Sequence, residues 1–343
     1  RIFDCWPGYL MLGSAARLIA RPAILCGVLA FSIATASWLW LSTMLDRPGP
    51  HASDSVIIVS PGSGHAVVRW DLHRAGVLHQ IYHYDAARML AGDKFMPKAG
   101  EFLLPAGASL RQIMDILHKG KSLQRRLTIV EGQTSGEIVT VLEAMPALTG
   151  AIESPVDEGS LYPDTYFYTY ATARQDVIMR MQDKMQITLA EAWAKRQPDL
   201  PYKTPYEALI MASIIEKEAA SQTDRQLVAA VLVNRMKRGM RLQSDPTVRY
   251  GIDIGTDGPI SKADLRRKTP WNTYVITGLP KTPICNPSYQ SIDAALHPAV
   301  SDFLYFVSDG FGGLRFAKTL DVHNKNVRLF RAVQAQNPEG PKP

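Results

Sequence analysis

The chain has 343 residues, a formal net charge of +6 and 46% hydrophobic residues. That length allows roughly two domains beyond any anchor, with enough apolar side chains for a real core. The positive balance suits an anionic surface or polymer. Gln124-Arg125-Arg126 and Arg266-Arg267-Lys268 are too short for a nucleic-acid footprint, so nucleic acid is excluded as a partner.

Ala23 to Leu45 is an almost unbroken apolar run, about the length that spans a hydrocarbon core. Arg17 and Arg21 precede it while Asp46 and Arg47 follow, a bias that puts the N-terminus in the cytoplasm and everything after residue 46 outside. Trp38 and Trp40 stand near the outer end, as interfacial aromatics do. A cleaved signal peptide is the competing reading; the run is long for a signal core, and no small-x-small site follows it cleanly. The chain opens on Arg1, and Met11 reads as a plausible true start.

Cys5 and Cys26 lie before or inside the apolar run and Cys285 stands alone after it, so the remainder has no disulfide framework. No Cys/His spacing matches a metal site, and neither metal nor cofactor is expected. His79 and His83 (i, i+4) are isolated and read as surface or core residues.

Residues 47–54 form a Pro/Gly/polar linker. A small alternating pattern follows: a strand over 55–59, a helix over 67–78, a short strand over 102–104, and a helix over 109–117 with Gly120 as its C-cap. Further on, a strand over 126–130 leads into a helix from Ser135. A loop then ends at Leu161-Tyr162-Pro163-Asp164-Thr165-Tyr166-Phe167-Tyr168. Aromatics around a Pro-Asp turn suit either a sugar-binding cleft or packing onto the core. A long amphipathic helix spans about 176–195.

The segment from Thr204 carries its own start signals: Thr204 at the N-cap, Pro205 at the first helical position and Glu207 closing a capping box. It ends in Ser213-Ile214-Ile215-Glu216-Lys217-Glu218-Ala219-Ala220. Helical spacing sets Glu218 behind Ile215, Ile214 and Met211, continuing an apolar stripe, whereas Glu216 follows Leu209, Ala212 and Ser213 on a more polar face. A half-buried Glu retains its proton near neutral pH and can donate it to a leaving oxygen. The alternative is a helix whose two Glu residues face water.

A second helix follows, capped by Thr223 or Asp224 and ended by Gly239. Its Asn234 falls on the inward face, where a buried amide must be bonded: it either pins the fold or faces the pocket of Glu218. Residues 240–251 read as an irregular stretch dense in hydrogen-bonding side chains, and 269–280 as a polar-aromatic loop. Two paired strands (303–307 and 314–317) come next, and His323-Asn324 opens the last helix.

This set of motifs resembles the endolytic murein transglycosylases, the MltG or YceG-like family. The residues that carry the resemblance are Ile215-Glu216-Lys217-Glu218, Val233-Asn234-Arg235, Leu242-Gln243-Ser244-Asp245-Pro246-Thr247-Val248 with Tyr250-Gly251, Asn272-Thr273-Tyr274 with Thr277-Gly278-Leu279-Pro280, His323-Asn324 and Tyr162-Pro163-Asp164-Thr165. The stretch 281–288 departs from the glycine-rich form of that loop. The resemblance implies an α+β chain: a cytoplasmic N-terminus (1–22), a transmembrane helix (23–45), a linker (46–54), a LysM-like subdomain (55–125), a mixed α/β catalytic domain (126–335) and a tail (336–343).

It further implies a cell-inner-membrane enzyme with its catalytic domain in the periplasm. Such an enzyme cleaves MurNAc-(β1,4)-GlcNAc bonds within peptidoglycan strands to leave 1,6-anhydro ends, beside penicillin-binding protein synthases. The catalytic residue maps to Glu218. Glu216, Asn234, Gln243, Asp245, Tyr250, Asn272, Tyr274, Asn324, Tyr162 and Asp164 map to substrate-binding or supporting positions. A hydrolase using Asp245 or Glu216 as a second carboxylate, and a non-catalytic wall-binding adaptor, are the alternatives.

Overall fold

The computed structural model describes residues 12–92, 95–153, 155–219, 221–252 and 260–336, with side chains from residue 25. Met11 and the tail from 337 lie outside the described residues. Contacts divide the chain into two compact units, residues 1–123 and 124–343.

Unit 1 opens with α1 (Leu12–Asp46), whose Leu25–Asp46 portion is long and apolar enough to cross a membrane and is exposed along most of its length. Leu45 turns into the core of the unit, and Asp46 meets Arg111 at 2.6 Å. Strands β1 (Ser55–Val59) and β2 (Gly100–Leu104) pair antiparallel with Ile57 opposite Phe102. Their inward side chains pack with α2 (His65–Arg74), α3 (Ile81–Ala91) and α4 (Leu110–Lys119) around Leu72, Tyr84, Phe102, Leu104, Ile113 and Leu117.

Two sequence expectations change here. The helix expected over 67–78 stops at Arg74, where Gly76 adopts φ +69, and α3 was not foreseen. Gln80, the N-cap of α3, makes no side-chain capping bond, so the helix carries no start signal to read. Helix α4 has a full capping box between Ser109 and Gln112, but Gly120 ends it in an extended rather than a left-handed conformation.

Unit 2 holds two packed cores. In the first, β3 (Arg125–Thr128) and β5 (Thr165–Tyr168) pair antiparallel, while β4 (Leu148–Thr149) and β6 (Thr172–Ala173) pair in parallel. These strands cover α5 (Ser135–Glu143) and α6 (Arg174–Ala194) through Leu127, Ile138, Leu142, Tyr166, Ile178 and Met181.

The second core is centred on α7 (Pro205–Glu218), which packs against α8 (Gln222–Lys237) and α10 (Tyr289–Leu296). Ala208 through Ile215 are all buried, so α7 is enclosed on every side rather than carrying a single apolar stripe. Between α8 and α10 lies α9 (Asp245–Ile252), a helix where an irregular stretch was expected. The hairpin of β7 (Tyr305–Ser308) and β8 (Leu314–Ala317) leads into α11 (Leu320–Gln336), which starts before His323 rather than at it.

Caps fix the ends of the central helices. Thr204 accepts from the Glu207 amide, as a capping box requires, but the Glu207 carboxylate reaches back to the amide of Lys203 instead of Thr204. The cap of α8 is Ser221, which accepts from the Asp224 amide, not Thr223 or Asp224.

Candidate active site

Glu218 is the last residue of α7, and its carboxyl meets the residue just before α9. Ser244 Oγ donates to Glu218 Oε1 at 2.6 Å, and Ser244 is itself 2% exposed. Its backbone is locked from both sides: its amide donates to Thr273 Oγ1, and its carbonyl accepts from Thr247 Oγ1. Burial pushes the Glu218 carboxyl up to about 7; the Ser244 bond and the charge of Arg235 oppose the shift, while Asp245 adds to it. The residue still keeps intermediate exposure. Its carboxyl is thus bonded within the protein while part of the residue still reaches solvent. The result is a proton carrier poised near neutrality, the condition acid–base chemistry needs.

Around it stand groups that the sequence placed near the site. Asp245, at the exposed start of α9, accepts from Tyr274 Oη at 2.6 Å. Burial, then the Asp245 carboxylate, holds the Tyr274 hydroxyl well above its ordinary value, so it remains a donor. Gln243 adopts φ +53, a left-handed turn rare for a side chain of its size. Its amide donates to Thr273 O and its Oε1 accepts from Arg235 at 3.3 Å. That turn delivers Ser244 to Glu218.

The remaining expected residues are bonded elsewhere. The Glu216 side chain is only 5% exposed and accepts from Ser288 N (2.7 Å), Ser288 Oγ (2.5 Å) and Arg225 Nη2 (3.3 Å). It joins α7 to the cap of α10, and both of its oxygens are engaged. Asn234 resolves the two possibilities in favour of pinning: Nδ2 donates to Ser301 O and Phe303 O, tying α8 to the segment that enters β7. Asn272, fully buried, donates to the carbonyls of Asp264, Leu265 and Arg267 and shapes its own loop.

Tyr250 bonds Glu158 Oε2 at 3.2 Å and meets Trp271 edge-on. Tyr162 lies under Lys184, which also pairs with Asp164, so this aromatic turn packs onto the core of unit 2. Asn324 is exposed on α11; the inward residue of that pair is His323, stacked on Tyr305 at 5.2 Å.

Sequence reasoning missed three participants. Ser244 sits in a quoted motif, but a Ser before Asp-Pro reads as turn punctuation. Arg235, 8% exposed, lies in the Val233-Asn234-Arg235 motif, where only Asn234 was assigned to the site. Glu158 is half-buried and accepts from the amides of Ser135 and Gly159; it lies in a loop without periodicity. The segment 281–288 runs alongside α7: Ile284 N donates to Ser213 Oγ, and Asn286 bonds Leu161 N and Gln133 O. Among the described residues, no group of His, Cys, Asp and Glu is arranged to hold a metal ion.

A carboxyl on a helix end, raised toward neutrality, bonded to a hydroxyl and flanked by a Tyr–Asp pair has the chemistry that proton transfer needs. A model of the YceG-like family matches residues 57–329, and the chain belongs to that family. It is similar to the endolytic murein transglycosylase of Bacillus subtilis (strain 168), with 41% identity over 169 residues, 49% of this chain and 46% of that protein. It is also similar to the endolytic murein transglycosylase of Streptococcus pneumoniae serotype 2 (strain D39 / NCTC 7466), with 31% identity over 204 residues, 57% of this chain and 36% of that protein. The chain thus spans less than half the length of these relatives. The crystal structure of a yceG-like protein from Listeria monocytogenes aligns with 80% of this chain and 98% of that one, at 28% identity and a TM-score of 0.49.

Proposed function

We propose that the protein is a membrane-anchored endolytic peptidoglycan lytic transglycosylase with Glu218 as its catalytic residue. The observation that carries this reading is the enclosed Glu218 carboxyl, protonated near neutral pH and bonded to Ser244, in a chain of the YceG-like family.

The reaction runs within one sugar. Neutral Glu218 protonates the glycosidic oxygen of a MurNAc-(β1,4)-GlcNAc bond; the C1–O bond breaks, and positive charge builds at the MurNAc anomeric carbon. The carboxylate left behind takes the proton of the same sugar's C6 hydroxyl, whose oxygen bonds to C1 and closes a 1,6-anhydro ring. No water is consumed, and Glu218 ends as it began. Most glycosidases need two carboxylates because water or a covalent intermediate must be handled on the second face. Here Glu216 is fully engaged in holding α10 to α7, and Asp245 is engaged by Tyr274. Tyr274 keeps its proton, which it donates to Asp245, and its hydroxyl oxygen is left to accept from a sugar hydroxyl.

Helix α1 serves in this reading as a single-pass anchor with the N-terminus inside. Unit 1 beyond it is the LysM-like module that contacts glycan, and penicillin-binding synthases are the expected neighbours. The test is the mass of the ends released from purified glycan strands. Anhydro ends, lighter by one water than reducing ends, are expected; reducing ends alone would replace this reading with hydrolysis through Asp245.

A further inference from the structure

Arg235 is a buried cation without an anion. Its Nε donates to Leu304 O at 2.6 Å, and Nη1 donates to Leu242 O at 2.7 Å and to Gln243 Oε1 at 3.3 Å. Its guanidinium lies over the Tyr305 ring, 5.1 Å from the centroid, and His323 stacks on the same ring. Among the described residues no carboxylate lies within ion-pair distance of it. A buried charge satisfied only by carbonyl dipoles is costly to keep, and proteins ordinarily pair it.

The acid whose charge Arg235 feels is Glu218, and the two are joined through a short chain of contacts. Arg235 grips Leu242 O and the Gln243 side chain, Gln243 makes the left-handed turn, and Ser244 then bonds Glu218. While Glu218 is protonated, Arg235 has no anionic partner. We propose that Arg235 is the positioning cation of this site, kept unpaired so that it becomes the counter-ion of the Glu218 carboxylate when that group gives up its proton. The pairing then exists only after the leaving oxygen is protonated, which is where stabilisation raises the rate. The inference rests on the assignment of Glu218 as the acid.

The surrounding groups leave this role to Arg235. Glu218 is faced by Arg235 from α8, by Asp245 from α9 and by Tyr274 from the loop after Trp271. Arg235 is faced by Tyr305 from β7 and by Tyr274, with His323 of α11 beyond. Burial, with the Arg235 charge second, holds His323 below its ordinary value, so it does not add a competing cation near neutrality.

The experiment titrates the Glu218 carboxyl directly by carbon-13 NMR of the full chain in detergent, with labelled glutamate and Glu218→Gln to assign the signal. Wild type, Arg235→Gln and Arg235→Lys are compared, with thermal melting to check folding. An opposite charge nearby favours the ionised form, so Arg235→Gln should titrate about one pH unit higher than wild type. Arg235→Lys, which keeps the charge, should stay within about half a unit. The alkaline limb of kcat/KM should move with the carboxyl.

A merely structural role would lower the melting temperature and leave the midpoint in place, which overturns the proposal. If Arg235→Gln does not fold, an upward move of a whole unit in Arg235→Lys overturns it equally. The titration is read without substrate, so its failure is distinct from failure of the transglycosylase reading, which the released ends test.

Discussion

Replacing Ser244 with Ala removes one oxygen and leaves the backbone bonds to Thr273 and Thr247 in place. The lost contact is the 2.6 Å bond to Glu218 Oε1, which favours the carboxylate. A hydrogen bond to a charged group contributes about 1.5–3 kcal/mol, and a neutral one about 0.5–1.5. Both protonation states of Glu218 can accept from Ser244, so the difference, on the order of 1 kcal/mol, is what shifts the equilibrium. That is close to one pH unit, moving the carboxyl from about 7 to about 8.

The direction then fixes the kinetics. Donation requires protonated Glu218, so the alkaline limb of kcat/KM follows its ionisation and should move up by about one unit. The carboxylate formed in the first half of the reaction is less stable by the same amount, and plateau kcat should fall roughly tenfold. The assay is the pH dependence of muropeptide release from purified strands. A limb that moves down, or stays put with wild-type kcat, would refute the idea that Ser244 acts on Glu218.

Other outcomes follow from the same geometry. Glu218 is raised from 4.5 to about 7, so its contribution to stability is fully present below about 4.5 and is lost as pH rises through about 7. Glu218→Gln escapes that loss and should gain on wild type between pH 5 and 8, by about 2 kcal/mol once the partial exposure of the residue is allowed for. Melting curves across that range check it, and a difference that is constant with pH would contradict it. Asn234→Ala should cost about 1–3 kcal/mol in denaturant unfolding, because Ser301 O and Phe303 O lose their donor, while activity per folded molecule survives. Gly159→Ala puts a Cβ 2.6 Å from Pro283 at φ +80 and should destabilise by more than 1 kcal/mol by the same measurement. Asn324→Ala, on the exposed face of α11, should change neither stability nor rate beyond about 0.5 kcal/mol.

What the sequence revealed and what it hid divide along local and distant interactions. Thr204 and Pro205 announce α7 because a cap acts within one turn, and the lean toward Glu218 came from spacing alone. The physical reason for that lean differs in the structure. Helix α7 is enclosed all round, and Glu216 is set apart by Ser288 and Arg225 rather than by a polar face. Helix α9 was hidden because eight residues starting Asp-Pro have too few apolar positions to show a period.

Arg235 was hidden for a different reason. One of its three partner carbonyls, Leu304, lies 69 residues away, and nothing in the local pattern separates it from a solvated Arg. Ser244 likewise became legible only once α7 and α9 met. At the last motif the sequence does not say which of two neighbours turns inward: His323 stacks on Tyr305, and Asn324 is exposed.

The central claim is that one carboxyl, Glu218, acts as acid and then base. Its most direct test is digestion of purified glycan strands by wild type and by Glu218→Gln, with the folded state of both verified. Wild type should release muropeptides with 1,6-anhydro ends, and the variant should release essentially none. Wild-type cleavage by the Glu218→Gln protein would contradict it.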